Sequence, residues 1–184
     1  VKNTAYLYVR LVVSLAIGLF TSRIILSALG VSDYGIYNIV GGFVSMLSLF
    51  TISLSGATSR FITFELGRGD MERMKKTFAT LSTLVYLLAV IVLILGETVG
   101  LWFVKEYLVI PDERWKAALS VYHCSLLAFI VNLIALPYNS CVIAHEKMNF
   151  FAIVSVLDSV LKLGIVYMLY ISPFDRLRTY AVLL

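Results

Sequence analysis

Apolar residues in this chain neither alternate nor keep to a narrow stripe; they continue in long runs. Five runs stand out: Tyr6 to Leu29, Ile36 to Phe64, Phe78 to Phe103, Ala117 to Ala144 and Phe150 to Ser172. Each reaches the about 20 residues that an α-helix needs to cross a hydrocarbon core about 30 Å thick. Ile36 to Ser59 and Ala117 to Ala144 hold no charge, and Glu97 is the only one in the third run. A sixth run begins near Thr179 and reaches Leu184. Membrane β-strands would be about ten residues long with alternating character. The pattern therefore predicts an all-α, polytopic transmembrane helical bundle with about five complete helices and the start of a sixth, and no soluble domain.

Between the runs lie short polar connections: Gly30 to Gly35, Gly67 to Lys76, Val104 to Lys116, His145 to Asn149, and Pro173 to Arg178. Short connections make successive helices antiparallel neighbours, which gives an up-and-down order. Pro137, inside the fourth run, predicts a kink. Asn132 and Asn139 in the same run bring amides that need partners in lipid.

Composition narrows the function classes. Of 184 residues, 60% are hydrophobic and 14% charged, and mean hydropathy is +0.94. Soluble domains are about 45–50% apolar and about 25% charged, so a water-soluble enzyme is excluded. The net charge of +4 comes from residues gathered between the runs; with no continuous basic face, nucleic acid is not an expected partner. Cys124 and Cys141 are roughly 25 Å apart along a straight helix, too far for a disulfide. His123 and His145 have no Cys or carboxylate at ligand spacing, so no metal site and no cofactor are expected. The first run contains Arg23 and leads into further runs, unlike a cleaved signal peptide. The serines lack a His or Lys at matching depth, and the connections are too short for a soluble active site. Val1 and the apolar Val182, Leu183 and Leu184 at the ends read as a piece of a longer protein.

Lys2, Arg68, Arg73, Lys75, Lys76 and Lys147 fall on one side of the membrane; Lys105, Arg114, Lys116, Arg176 and Arg178 fall on the other. The two tallies are close. The dense cluster in Gly67 to Lys76, set against a first opposite connection with no cation, points to a cytoplasmic N-terminus. Arg68-Gly69-Asp70 in that connection reads as a coincidental tripeptide.

Ionisable groups inside the runs cost about 2.5–3.5 kcal/mol each at mid-bilayer, so each needs a partner or a wet cavity. On a helical wheel Asn3, Arg10, Ser14, Gly18 and Thr21 share one sector, whereas Arg23 lies about 140° away. Arg10 thus faces a cavity or snorkels, and the wheel favours snorkelling for Arg23. In the second run Gly41, Ser45, Ser48, Thr51, Ser55, Thr58 and Ser59 form one stripe, which either packs against a helix or lines water. Arg60 lies off that stripe unless Gly56 bends the helix. Asp158 and Lys162 have the favourable i,i+4 order, and read either as a self-neutralised pair or as a cavity group. Glu97, between Gly96 and Gly100, suggests a GxxxG contact with an interfacial acid.

Several stretches together resemble the bacterial O-antigen and polysaccharide translocases of the multidrug/oligosaccharidyl-lipid/polysaccharide exporter superfamily. They are Lys2-Asn3-Thr4 with Tyr8 and Arg10, and Thr21-Ser22-Arg23-Ile24 leading to Leu29-Gly30-Val31-Ser32-Asp33-Tyr34-Gly35-Ile36-Tyr37. Gly41-Gly42, Ala57-Thr58-Ser59-Arg60-Phe61-Ile62-Thr63, Gly67-Arg68-Gly69-Asp70 and Leu101-Trp102-Phe103 continue the likeness, as do Pro137-Tyr138-Asn139 and Ala144-His145-Glu146-Lys147-Met148. The resemblance implies the larger part of the N-terminal lobe of a two-lobed transporter in the bacterial inner membrane. Its cargo would be an undecaprenyl-diphosphate-linked oligosaccharide, flipped by alternating access through a cationic cavity. Its partners would be that lipid-linked oligosaccharide, membrane lipids, and the polysaccharide polymerase and chain-length machinery.

Carried over by position, Arg10, Arg23 and Arg60 match basic residues of the pattern, so the wheel and the resemblance differ on Arg23. Ser48, Ser55 and Asn139 are the candidate groups for sugar hydroxyls, and Asp158 with Lys162 a candidate charge pair or coupling element. No GxxxxGK[ST] motif is present. Competing readings are a cation-coupled drug or metabolite antiporter of the same superfamily, a membrane-embedded sugar polymerase or glycosyltransferase, and a non-transporting scaffold.

Overall fold

The computed structural model describes the backbone of residues 2–171 and 176–183 and the side chains of residues 8–169 and 176–183. Lys2, Asn3, Thr4 and Ser172 to Asp175 therefore lie wholly or in their side chains outside the described residues. No strand occurs among those described, and the chain is all-α. Its elements are α1 (Lys2–Ser45), α2 (Ser48–Arg68), α3 (Met71–Leu95), a π-helical turn (Gly96–Gly100), α4 (Leu101–Tyr107), a 3-10 turn (Asp112–Arg114), α5 (Trp115–Ala144), α6 (Met148–Ile171) and α7 (Arg176–Leu183). Among the described residues four stretches are long and apolar enough to cross a membrane, and the first, Tyr8–Arg68, takes in α1 from Tyr8 onward and all of α2. This is a multi-pass membrane protein.

The connections are tighter than the polar residues suggest. Gly30 to Gly35 is not a loop: only Gly30 leaves helical geometry (φ 80, ψ 168), and the second arm of α1 starts at Val31. Ser32 and Asp33 then occupy a first helical turn, where their side chains suit the exposed amides and the positive end of the dipole. Gly67 to Lys76 contracts to a two-residue corner. Gly69 takes the left-handed conformation (φ 71) and returns its N–H to the Leu66 carbonyl, and the Asp70 carboxylate accepts from the Arg73 N–H at 3.1 Å as the cap of α3. Such a cap is worth about 1 kcal/mol. The Arg68-Gly69-Asp70 tripeptide is thus a helix–helix corner, with Lys75 and Lys76 already on α3.

The second run is interrupted by a turn at Met46 and Leu47, and α2 continues unbroken past Gly56. The bend anticipated at Gly56 therefore moves ten residues toward the N-terminus, and the stripe from Gly41 to Ser59 is divided between two helices. Pro137 does not end α5, which runs on to Ala144, although it has no N–H to give to the ladder.

The chain forms two compact units. Unit 1 draws on Val1–Gly42, Ile110–Cys124 and Lys147–Leu184. Its core includes Ile25, Val40, Val121, Val166 and Leu177, and Tyr37 meets Tyr180 edge to face at 4.9 Å. Asp33, only 7% exposed, accepts from the Arg114 guanidinium at 3.2 Å. Arg176 donates to the carbonyl of Ala28 at 2.9 Å, in the last turn before the Gly30 break, where carbonyls lose intrahelical partners.

Unit 2 comprises Phe43–Val109 and Ser125–Glu146. Val85 and Ala89 of α3 pack on Ile130, Leu133 and Leu136 of α5. The hydroxyls of Tyr86 and Tyr138 meet at 3.0 Å, and Phe78 packs edge-on against Tyr138. Gly96 opens the π turn and lies beneath Leu126; a Cβ there would come within 2.7 Å of a Leu126 methyl. This is the close approach that the GxxxG pattern anticipated at Gly96, while Glu97 is exposed.

Candidate functional site

Two polar hollows contain most of the residues singled out in the sequence, one in each unit. In unit 1, α1 contributes Arg10, Leu11, Ser14 and Leu15, and α6 contributes Ser155, Asp158 and Ser159, around about 410 Å³. The i, i+4 rule explains the layout: Arg10 and Ser14 are one turn apart on α1, and so are Ser155 and Ser159 on α6. Ser159 lies 3.4 Å from Ser14, hydroxyl to hydroxyl, and the Arg10 guanidinium sits over the Phe151 ring at 4.8 Å. A cation on an aromatic face keeps its planar donors free for another ligand.

The donor inventory of this hollow is short. Ser155 donates to the Phe151 carbonyl and Ser159 to the Ser155 carbonyl, each at 2.9 Å, so both turn lone pairs to the cavity. Asp158 is held by Lys162 at 2.9 Å, the pair expected from the spacing. With Asp158 and Lys162 cancelling, Arg10 carries the net charge, and Arg10 and Ser14 supply the donors.

In unit 2, α2 contributes Ser48, Thr51, Ile52 and Ser55, and α5 contributes Phe129, Asn132, Leu136 and Asn139, around about 470 Å³. None of its described lining residues is ionisable. Ser48 and Thr51 give their protons to the Ser45 and Ser48 carbonyls, and Asn132 donates its amide N–H to Ala128, leaving the Asn132 carbonyl oxygen as an acceptor. Asn139 and Ser55 also line the space. Ser140, fully buried, reaches the Ser55 backbone carbonyl at 3.5 Å.

The candidates thus fall into three groups. Arg10 and Asp158 share one hollow, with Lys162 on its edge through the ion pair. Ser48, Ser55 and Asn139 share the other. Arg23 and Arg60 are exposed and line neither hollow. For Arg23 this follows the wheel; for Arg60 it follows from an α2 that does not bend at Gly56. Sequence reasoning missed the Asp33–Arg114 pair, because its members stand far apart in the chain, and the Tyr86–Tyr138 contact, because neither tyrosine breaks an apolar pattern.

The MatE family matches residues 9–168, so the chain belongs to that family, part of the multidrug/oligosaccharidyl-lipid/polysaccharide exporter superfamily. MatE proteins are membrane transporters and not enzymes. No curated protein and no solved structure matches the chain.

Proposed function

Taking MatE membership as the premise, we propose that the protein moves an anionic lipid-linked oligosaccharide, of the undecaprenyl-diphosphate class, across a bacterial inner membrane by alternating access. One observation carries this reading: in the unit 1 hollow the carboxylate is paired with Lys162, leaving Arg10 as the uncompensated charge among the described lining residues. A guanidinium with its planar donors free suits a phosphate oxygen pair. Acceptors and a hydroxyl beside an aromatic ring, as in the unit 2 hollow, suit sugar hydroxyls. The cationic cluster Arg68, Arg73, Lys75 and Lys76 supports a cytoplasmic N-terminus under the positive-inside rule. The polymerase and chain-length machinery would then act on the cargo after it crosses.

A second reading, a cation-coupled drug or metabolite antiporter, is favoured by Asp158 in the same hollow. An incoming cation would replace Lys162 at that carboxylate. Complementation in cells lacking their native flippase separates the two, with surface polysaccharide scored against membrane abundance. Arg10→Ala is expected to reduce polysaccharide by at least about tenfold at normal abundance, since a charge-assisted hydrogen bond is worth about 1.5–3 kcal/mol. Asp158→Asn is expected to leave it largely intact. Full transport with Arg10→Ala and loss with Asp158→Asn would reverse the assignment in favour of the antiporter.

A further inference from the structure

We propose that the seam between α1 and α6 in unit 1 is a lateral binding site for a net-anionic phospholipid, its phosphate on Arg10 and Ser14 and its apolar chain along Leu11 and Leu15. It rests on Arg10 being the anion-binding group of the transport reading, a group that the phospholipid and the cargo would hold in turn. The same hollow that presents Arg10, Ser14, Ser155, Asp158 and Ser159 is walled by Leu11 and Leu15. Around α1, steps of about 100° per residue order the side chains as Arg10, Ser14, Leu11, Leu15, Leu19. The helix surface therefore grades from cationic to hydroxylic to apolar without a gap. Leu11, Leu15 and Leu19 are 51%, 60% and 73% exposed, in a stretch apolar enough to lie in lipid.

A soluble anion meets only half of this surface. Free phosphate would gain the Arg10 and Ser14 donors but nothing from the leucines. An amphiphile gains both, at about 25 cal/mol per Å² of apolar surface covered, and it keeps its chain in the bilayer while its head is held. Ser155 and Ser159, whose protons are spent within α6, face the cavity as acceptors. They suit the glycerol hydroxyls of a headgroup such as that of phosphatidylglycerol.

The test uses the intact protein in mixed micelles of equal phosphatidylglycerol and phosphatidylcholine, with retained lipid read by native mass spectrometry. Phosphatidylglycerol is expected to be retained in preference. Arg10→Gln should lower its retention by about tenfold, in line with a lost charge-assisted hydrogen bond, and Arg10→Lys should keep most of it. Arg178→Gln, an exposed residue of α7 that does not line the hollow, should change it by less than about twofold, the scale of a surface charge. Inorganic pyrophosphate should not displace the lipid. In wild-type protein a photoreactive phosphatidylglycerol should cross-link within Leu11 to Leu19, a readout independent of how any variant folds. Displacement by pyrophosphate, unchanged retention in Arg10→Gln, equal loss in Arg178→Gln, or cross-links confined to unit 2 would each overturn the site. Cross-links at Leu11 to Leu19 in a wild-type protein that fails to restore polysaccharide would support the lipid site while removing the cargo reading alone.

Discussion

The two hollows have similar volumes and similar counts of polar groups, yet they differ in what holds them and in what they offer. The unit 1 hollow is built from charge: Arg10 over Phe151, Asp158 on Lys162, and, elsewhere in the unit, the buried Asp33 on Arg114. The unit 2 hollow is lined by neutral groups, and its unit is held by apolar packing of α3 on α5 and by Gly96 under Leu126. The contrast teaches that hydroxyl count is a poor guide to chemistry inside a helix bundle. What matters is which protons remain after the helices have taken theirs.

The largest expected effect tests whether unit 1 depends on charge. Arg114→Ala removes the guanidinium from a carboxylate whose side chain is only 9% exposed. Breaking a fully buried pair costs about 3–5 kcal/mol; here about 2 kcal/mol is expected, because Arg114 is half exposed and Asp33 sits in a first helical turn. The readout is thermal unfolding of the intact protein, and adding Asp33→Asn should restore part of the loss. An unchanged melting temperature would break the contrast at its strongest point.

Gly96→Ala asks the matching question of unit 2, where volume rather than charge should be limiting. The new methyl would meet Leu126, itself 1% exposed, at a cost of about 1 kcal/mol typical of mild overpacking. In a Leu126→Ala background, itself destabilised by about 2–5 kcal/mol, Gly96→Ala should cost nothing further in thermal unfolding relative to Leu126→Ala alone, and an undiminished cost there would show that the π turn, not the leucine, resists the change.

The smallest effect sharpens the comparison of the hollows themselves. Ser14→Ala removes a donor that the helix has not claimed, and should weaken phosphatidylglycerol retention by about fivefold for a hydrogen bond of about 1 kcal/mol. Ser48→Ala removes a hydroxyl whose proton is already bonded to the Ser45 carbonyl, so only an acceptor is lost, and polysaccharide export should fall by less than about twofold. Equal effects of the two serines on their respective readouts would erase the distinction between claimed and unclaimed protons.

How much of this the sequence discloses depends on the range of the interaction. Helices of membrane-crossing length were readable because lipid requires long, continuous apolar runs. The Asp158–Lys162 pair was readable because both members lie on one helix, one turn apart. The Gly30 break could be located but not sized: Ser32, Asp33 and Tyr34 look like loop residues, although the first two are well suited to a helical first turn. The turn at Met46 and Leu47 gave no local sign, since both residues favour helix and neither is Gly or Pro. The distribution of Arg10, Ser48 and Asn139 over separate hollows depends on helix packing, which periodicity along one helix does not report.

The bond from Arg176 to the Ala28 carbonyl sets a clock on biosynthesis. Its two ends are 148 residues apart, so at roughly 5–20 residues per second the ribosome needs about 7–30 s after making the Gly30 break to supply the group that closes it. Every segment of unit 2 has been synthesised by residue 146, before α6 and α7 exist. During that interval α1 carries Arg10 without the α6 face that later lines its hollow. A protein of this plan is therefore more exposed to quality control in α1 than in α6 and α7, which follow it in the chain.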